Sequence, residues 1–179
     1  NTWLVVVTGG LSTGIGFAMK DILENIYYGI SLMTGRIKIG DYIVCDGIRG
    51  RVSSISYTST MLEALDGSII AFQNSQLFTK NYKNMTKNHG YELDILEVGV
   101  AYGSNINEVK KMLIDAITAL DITYKKKKVM VLLKSFDDSC ITLKVLVWVN
   151  VFTQGLDDSI IMECIYDTLN KNGIEIPFP

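Results

Sequence analysis

Residues 1–19, NTWLVVVTGGLSTGIGFAM, hold no ionisable side chain, whereas Lys20, Asp21 and Glu24 follow at once. As a helix rising about 1.5 Å per residue it spans roughly 28 Å, close to the ~30 Å hydrocarbon thickness of a bilayer. Ten of its residues are apolar, four are Gly and five are Thr, Ser or Asn, a mixture unusual for a span that faces lipid on all sides. No basic segment precedes the apolar run, so it does not fit a secretory signal, and the lack of a starting Met is what a piece of a longer chain would show.

Helical periodicity sorts these residues. At about 100° per residue, with Gly9 at zero, Gly16 falls near −20°, Thr13 near 40°, Phe17 near 80°, Gly10 near 100° and Gly14 near 140°. Leu11, Ile15, Ala18 and Met19 take the opposite side. Two glycine strips (Gly9 with Gly16, Gly10 with Gly14) therefore flank a narrow stripe of Thr13 and Phe17. Small residues let helix backbones approach closely in a membrane. A strip on each side of one stripe suits a ring, in which every subunit touches two neighbours through different surfaces. Thr13 and Phe17 then line a pore, and a ring of Phe17 makes an apolar constriction able to gate by dewetting.

Composition bounds the alternatives. The 179 residues carry 17 Lys+Arg and 19 Asp+Glu, a net charge of −2, which argues against a nucleic-acid binder acting through a large positive field. A content of 48% hydrophobic residues excludes polar disorder. Three scattered cysteines, Cys45, Cys140 and Cys164, point to no disulfide framework or CxxC site and fit a reducing compartment. With His89 the single histidine, no His-rich metal site can be assembled, and neither cofactor nor metal is expected. Mean hydropathy of +0.24 is high for a chain with 20% charged residues, and the excess sits in the first nineteen.

VVVTGGLSTGIGFA also resembles the strand, glycine turn and helix opening of a short-chain dehydrogenase, and Tyr124 with Lys128 forms a YxxxK pair. The glycine spacing is wrong, however, no βαβ crossover with an acidic residue follows, and the YKKKK run supplies a lysine at any nearby spacing. That run, Lys125 to Lys128, reads as a solvated loop, as does His89. Asp137-Asp138 and Asp157-Asp158 read as turn and helix-cap residues. No catalytic constellation is expected.

Beyond the span, Asp21 to Met33 is amphipathic, with Ile22, Ile26, Ile30 and Met33 on one face and Leu23 and Tyr27 beside them. Lys20, Tyr27, Tyr28 and Arg36 suit a membrane interface, and Gly35 ends the helix. Lys20, Arg36 and Lys38 place the C-terminal side in the cytoplasm by the positive-inside rule. Residues 34–93 read as short strands of a small barrel or half-barrel, with Asp66-Gly67 as a type I′ hairpin turn, a further tight turn at Gly47 and Gly50, and a connecting loop over residues 79–90. Residues 94–179, with the strand beginning just before them, read β-α-β-β-α-β, closing on Ile174-Glu175-Ile176 as a strand, with Asp157 or Asp158 as N-cap and Gly173 as C-cap of the second helix. The expected fold is thus a membrane α-helix (1–33), a small all-β domain (34–93) and an α+β, ferredoxin-like domain (94–179).

Several ordered motifs now converge. GIGFAMKDILENIYYGISLM, GRIKIGDYI, GIRGRVSSI, DGSIIAFQNSQLF, VGVAYGSNINEV and the terminal GIEIPFP resemble the small-conductance mechanosensitive channel (MscS) family, from about Gly9 to Pro179. The resemblance implies a homoheptamer in the bacterial inner membrane, an Sm-like β domain and an α/β domain enclosing a cytoplasmic vestibule. It also implies opening under membrane tension to release ions and small osmolytes on hypoosmotic shock. The family's two constriction positions fall on Thr13 and Phe17, with Thr13 polar where leucine is common. The family's bend position, often a glycine, holds Asp21, so the bend is expected at Asp21 or Gly29. Two prolines of the family pattern are absent: RPF…GD becomes Arg36-Ile37-Lys38-Ile39-Gly40-Asp41, and PN becomes Gln73-Asn74.

Overall fold

The structure, a computed structural model, describes residues 2–153 and 155–177; Asn1, Gln154, Phe178 and Pro179, which end or fall within the segments above, lie outside the described residues. The chain forms two compact units, residues 1–87 and 88–179.

The first unit opens on one unbroken helix, α1 (Thr2–Ser31), followed by a π-helical turn, Leu32–Arg36, in which Gly35 takes φ 117°, ψ 8°. Only glycine adopts that backbone without strain, so the helix ends where expected. Neither Asp21 nor Gly29 interrupts the helix. A five-stranded antiparallel sheet follows: β1 (Tyr42–Cys45), β2 (Ile48–Ile55), β3 (Ser59–Glu63), β4 (Ile69–Gln73) and β5 (Tyr82–Asn84), in the order β4-β3-β2-β1-β5. Leu32, Ile37, Ile43, Val52, Leu62, Phe72 and Leu77 pack its core with Cys45. Burial, then the adjacent Asp46 carboxylate, pushes the Cys45 thiol up from its ordinary range, which keeps it protonated and unreactive. All three cysteines are free.

Four details of this unit correct the sequence expectation. The two-residue turn with positive φ at both positions is Asp46-Gly47 (52° and 77°), between Cys45 and its partner Ile48. At Asp66-Gly67 only the glycine is left-handed, and the β3–β4 loop is longer, closed by Ala64 N to Ser68 O at 2.9 Å and Gly67 N to Ala64 O at 3.0 Å. Gly50 lies inside β2 rather than in a turn, where a Cβ would come within 2.9 Å of the Glu63 carbonyl oxygen. Residues 79–90 are not wholly loop, because β5 pairs with β1 from Asn84↔Ile43 to Tyr82↔Cys45. A short helix absent from the sequence reading, α2 (Asn74–Thr79), precedes it.

The two ends of this β domain are sewn together. Tyr42 N donates to Thr86 Oγ1 at 2.8 Å, Met85 N to Tyr42 O at 2.8 Å and Asn84 Nδ2 to Asp41 Oδ2 at 2.7 Å. Lys87 Nζ donates to the carbonyl oxygens of Gly35 at 3.3 Å and Arg36 at 2.6 Å.

The second unit is a three-stranded antiparallel sheet, β6 (Tyr91–Val100), β7 (Met130–Phe136) and β8 (Ile141–Asn150), in the order β6-β8-β7, with α3 (Ile106–Ala119) after β6 and α4 (Leu156–Lys171) after β8. Strand β8 alternates strictly, burying Ile141, Leu143, Val145, Val147 and Val149. Onto these pack Val109, Leu113 and Ile117 of α3 and Ile161, Ile165 and Leu169 of α4, each trio at i, i+4 spacing. Residues 91–93, placed with the β domain in the sequence reading, pair with Asn150, Val149 and Trp148 and so belong to this sheet.

Here too the ends differ from expectation. Gly155, at φ 81°, takes the N-cap position of α4, so Asp157 and Asp158 sit in its first turn, where carboxylates favour the helix dipole. Gly173 does cap the other end: Gly173 N bonds Asn170 O at 3.1 Å and Ile174 N bonds Leu169 O at 3.0 Å, a Schellman pair. Residues 174–176 form no strand, and a single bond, Ala101 N to Glu175 O at 3.0 Å, ties them to the end of β6. Pro177, lacking an N–H, cannot extend a ladder.

Asp94 on β6 is the titratable oddity of this unit. No donor among the described residues reaches its buried Oδ2. Burial and then the Asp158 carboxylate, with a smaller contribution from Asp157, push it up to about 7. A carboxyl raised in the folded state favours folding when protonated, so its contribution is present in mild acid and fades as pH rises through about 7. The second unit should therefore melt at a higher temperature near pH 5.5 than near pH 8, and Asp94→Asn should flatten that difference; a difference of the opposite sign, or one unaltered by the substitution, counts against the assignment.

Candidate functional site: the exposed helix and its dock

Residues 2 to 23 of α1 are exposed throughout in this chain, including Trp3, Val5, Leu11 and Ile15, and Phe17 is 75% exposed. With the turn after it, Thr2–Arg36 is the one helix among the described residues long and apolar enough to cross a membrane, its most apolar 18-residue stretch having a mean hydropathy of 1.4. Thr8 and Thr13 do not carry free hydroxyls there. Thr8 Oγ1 donates to Leu4 O at 2.7 Å and Thr13 Oγ1 to Gly9 O at 2.8 Å. Such back-bonding satisfies a hydroxyl within its own helix.

The helix glycines divide into two kinds. A Cβ on Gly9, Gly10, Gly14 or Gly16 would meet nothing within 4 Å. A Cβ on Gly29 would collide with the Tyr57 carbonyl, lying 2.9 Å from its carbon, and would lie 2.5 Å from Asn74 Nδ2. Gly29 thus marks where α1 docks on the β domain of its own unit.

The docking face runs Asn25, Gly29, Leu32, at i, i+4, i+7, and all three are buried. Asn25 Oδ1 accepts from Ser75 N at 2.9 Å, while Asn25 Nδ2 donates to Asp21 O at 2.8 Å. Asn74, fully buried, accepts from Thr60 Oγ1 at 2.8 Å and donates to the carbonyls of Ser56 and Tyr57 at 2.9 Å each, which fixes the loop that Gly29 touches. The apolar stripe of this segment does not make the contact: Ile22, Ile30 and Met33 are exposed and Ile26 only half-buried. A polar residue and a glycine win this contact because they bring backbone close to backbone and supply the hydrogen bond.

The four residues assigned to a membrane interface separate likewise. Tyr28 is half-buried and stacks on Phe78, ring centroids 4.4 Å apart, and the Arg36 guanidinium lies 4.1 Å from the same ring. Both therefore serve the dock. Tyr27 is 66% exposed and Lys20 is exposed. Asn25, Ser75, Asn74 and Phe78 were missed by the sequence reading. The i, i+4, i+7 spacing of Asn25, Gly29 and Leu32 was the signal available.

The dehydrogenase reading fails on geometry. Val5 to Thr8, which would have to be a strand, is helix, and Tyr124 stacks on Tyr91.

A helix uncharged over its first eighteen residues leads into a β domain, and an α/β unit follows in the chain, the order expected of a membrane channel subunit. The mechanosensitive ion channel β-domain model matches residues 21–87 and the MscS C-terminal model residues 94–176, so the chain belongs to the MscS family, one of mechanosensitive channels rather than enzymes. It is 29% identical over 178 residues to an uncharacterised MscS family protein of Archaeoglobus fulgidus, covering 98% of this chain and 62% of that one. To the small-conductance mechanosensitive channel of Helicobacter pylori it is 28% identical, covering 99% of this chain and 65% of the relative. The chain thus spans under two thirds of the length of these relatives. The crystal structure of Helicobacter pylori MscS in its closed state superposes with a TM-score of 0.85 at 28% identity, over 99% of this chain and 70% of that one. The Arabidopsis thaliana MSL1 structure shares the fold, with a TM-score of 0.76 at 16% identity, over 98% and 65%.

Proposed function

We propose that this chain is the pore-forming and cytoplasmic part of a channel subunit that opens under membrane tension and releases ions and small osmolytes on hypoosmotic shock. The observation that carries this reading is the contrast among the glycines. Gly in a helix interior costs about 1 kcal/mol relative to Ala. Gly29 is matched by a close approach within the chain, whereas Gly9, Gly10, Gly14 and Gly16 are not. Their use lies outside the chain, against further copies of the same helix.

In this reading a ring of copies, seven by the family resemblance, turns Thr13 and Phe17 to the axis and both glycine strips to neighbours. Phe17 is the main apolar seal, because Thr13, although its hydroxyl is internally bonded, is smaller and more polar. The bend that moves the helices lies at Asp21 or Gly29. Lys20 and Tyr27 meet lipid at the boundary of a bacterial inner membrane, with the C-terminal units in the cytoplasm. The β domain is Sm-like, and the β6-β8-β7 sheet with α3 and α4 is ferredoxin-like without its last strand. The pore helix to residue 33 remains a separate functional part. No nucleic acid or cofactor takes part. Tension does work on the larger in-plane area of the open state, which shifts a two-state equilibrium.

The test is patch recording of the full-length protein in liposomes: stretch-activated conductance is expected, and a protein that assembles but passes no current would be a membrane scaffold instead. Gly14→Leu and Gly16→Leu should each shift the opening tension by crowding the helix contacts. An unaltered threshold in both would sink the two-strip arrangement.

A further inference from the structure

A cleft of about 240 Å³ in the second unit belongs to none of this machinery. Three chain segments build it: Asn88 and His89 just before β6, residues 124–127 before β7, and Trp148 on β8. They are held in register by Tyr124 N to Trp148 O at 2.8 Å and Lys127 N to Tyr124 O at 3.1 Å. His89 sits at φ 66°, a left-handed backbone that a non-glycine residue holds at some cost.

The walls are aromatic and the charge is of one sign. Tyr91 and Tyr124 stack with centroids 3.9 Å apart and planes 21° from parallel. Trp148 carries the Lys127 ammonium 5.3 Å from its ring centroid. Lys126 also lines the cleft, and no carboxylate does. Lys125 of the same run is turned elsewhere, its Nζ donating to the carbonyls of Thr118 and Leu120 at 2.5 and 2.6 Å. A solvated lysine loop would have no reason to set the Lys127 ammonium over Trp148 with Lys126 lining the same cleft. Lysines recognise phosphate as compact point charges, and flat rings stack with heterocyclic bases. The volume lies just below the range for drug-sized ligands, which admits one ring system with one anionic group and no polymer.

We propose that this cleft binds a small planar organic anion of the nucleoside monophosphate kind, its base against the aromatic walls and its phosphate on Lys126 and Lys127. Binding is read directly, so its success or failure is separate from that of the channel reading.

The experiment is equilibrium dialysis of AMP against the detergent-solubilised full chain, with adenosine and inorganic phosphate as parallel probes and tryptophan fluorescence as a second readout. Saturable AMP binding is expected, with adenosine and phosphate each at least about tenfold weaker, because each lacks one half of the recognition. The double variant Lys126→Ala/Lys127→Ala should lose about tenfold or more in affinity, while Lys127→Arg should retain binding. Both lysines are exposed, so circular dichroism should show the fold unchanged. No saturable AMP binding, phosphate binding as tightly as AMP, or undiminished binding by the double alanine variant would overturn the proposal.

Discussion

Phe17→Ser is expected to give a channel that conducts at rest and opens at lower membrane tension than the parent. Phe17 is 75% exposed in the single chain and lies on the stripe between the two glycine strips. In a ring, each copy places one such side chain near the axis, where an apolar constriction excludes water without closing sterically. Serine removes an apolar group worth roughly 1.5–3 kcal/mol of transfer free energy per copy and adds a hydroxyl that bonds water. The closed state is penalised once per subunit, so the change in threshold should exceed that of any single surface substitution. Thr13 would not restore the seal, since it is short and its hydroxyl is engaged with Gly9 O. Patch recordings decide the matter: resting conductance and opening tension equal to those of the parent would remove Phe17 from the constriction.

Gly29→Ala is expected to loosen α1 from its β domain, although alanine is the better helix former. The propensity gain is about 1 kcal/mol. Against it stands a Cβ 2.5 Å from Asn74 Nδ2 and in collision with the Tyr57 carbonyl, groups fixed by the buried Asn74 network. Overpacking of this kind costs typically about 1–3 kcal/mol, and a shifted helix also strains the Asn25 to Ser75 hydrogen bond. Amide exchange over residues 22–32 should quicken and the melting temperature of the first unit should fall. A rise in melting temperature would mean that the close approach is not there.

The N-terminal apolar helix and the α/β unit were legible for the same reason: long runs with clear period, 3.6 in α1, α3 and α4 and 2 in β8, leave little to tertiary context. What was illegible was short or polar. Helix α2 is six residues and shows no full amphipathic repeat, so its sequence ran on as strand and loop. The dock was missed because an apolar stripe, Ile22 to Met33, offered the more familiar signal, whereas the contact uses Asn25 and Gly29. Two Asp-Gly pairs were present, and which of them forms the two-residue turn depended on strand register: Cys45 opposite Ile48 leaves room for only two residues, Glu63 opposite Ile69 for five. The last strand was lost because Ile174 N is spent on capping α4, which leaves one bond, Ala101 N to Glu175 O, before Pro177 stops any ladder.

The stitching of Lys87, Thr86, Met85 and Asn84 to residues 35–42 also has a mechanical side. A force arriving along the chain at residue 87 meets the end of the helix segment through one lysine side chain, at the Arg36 carbonyl 2.6 Å away. The five-stranded sheet is therefore wired in parallel with that shortcut, not in series. A pull at residue 87 is thus divided between the helix end and the strands, because residues 82–86 are also bonded to residues 41–45.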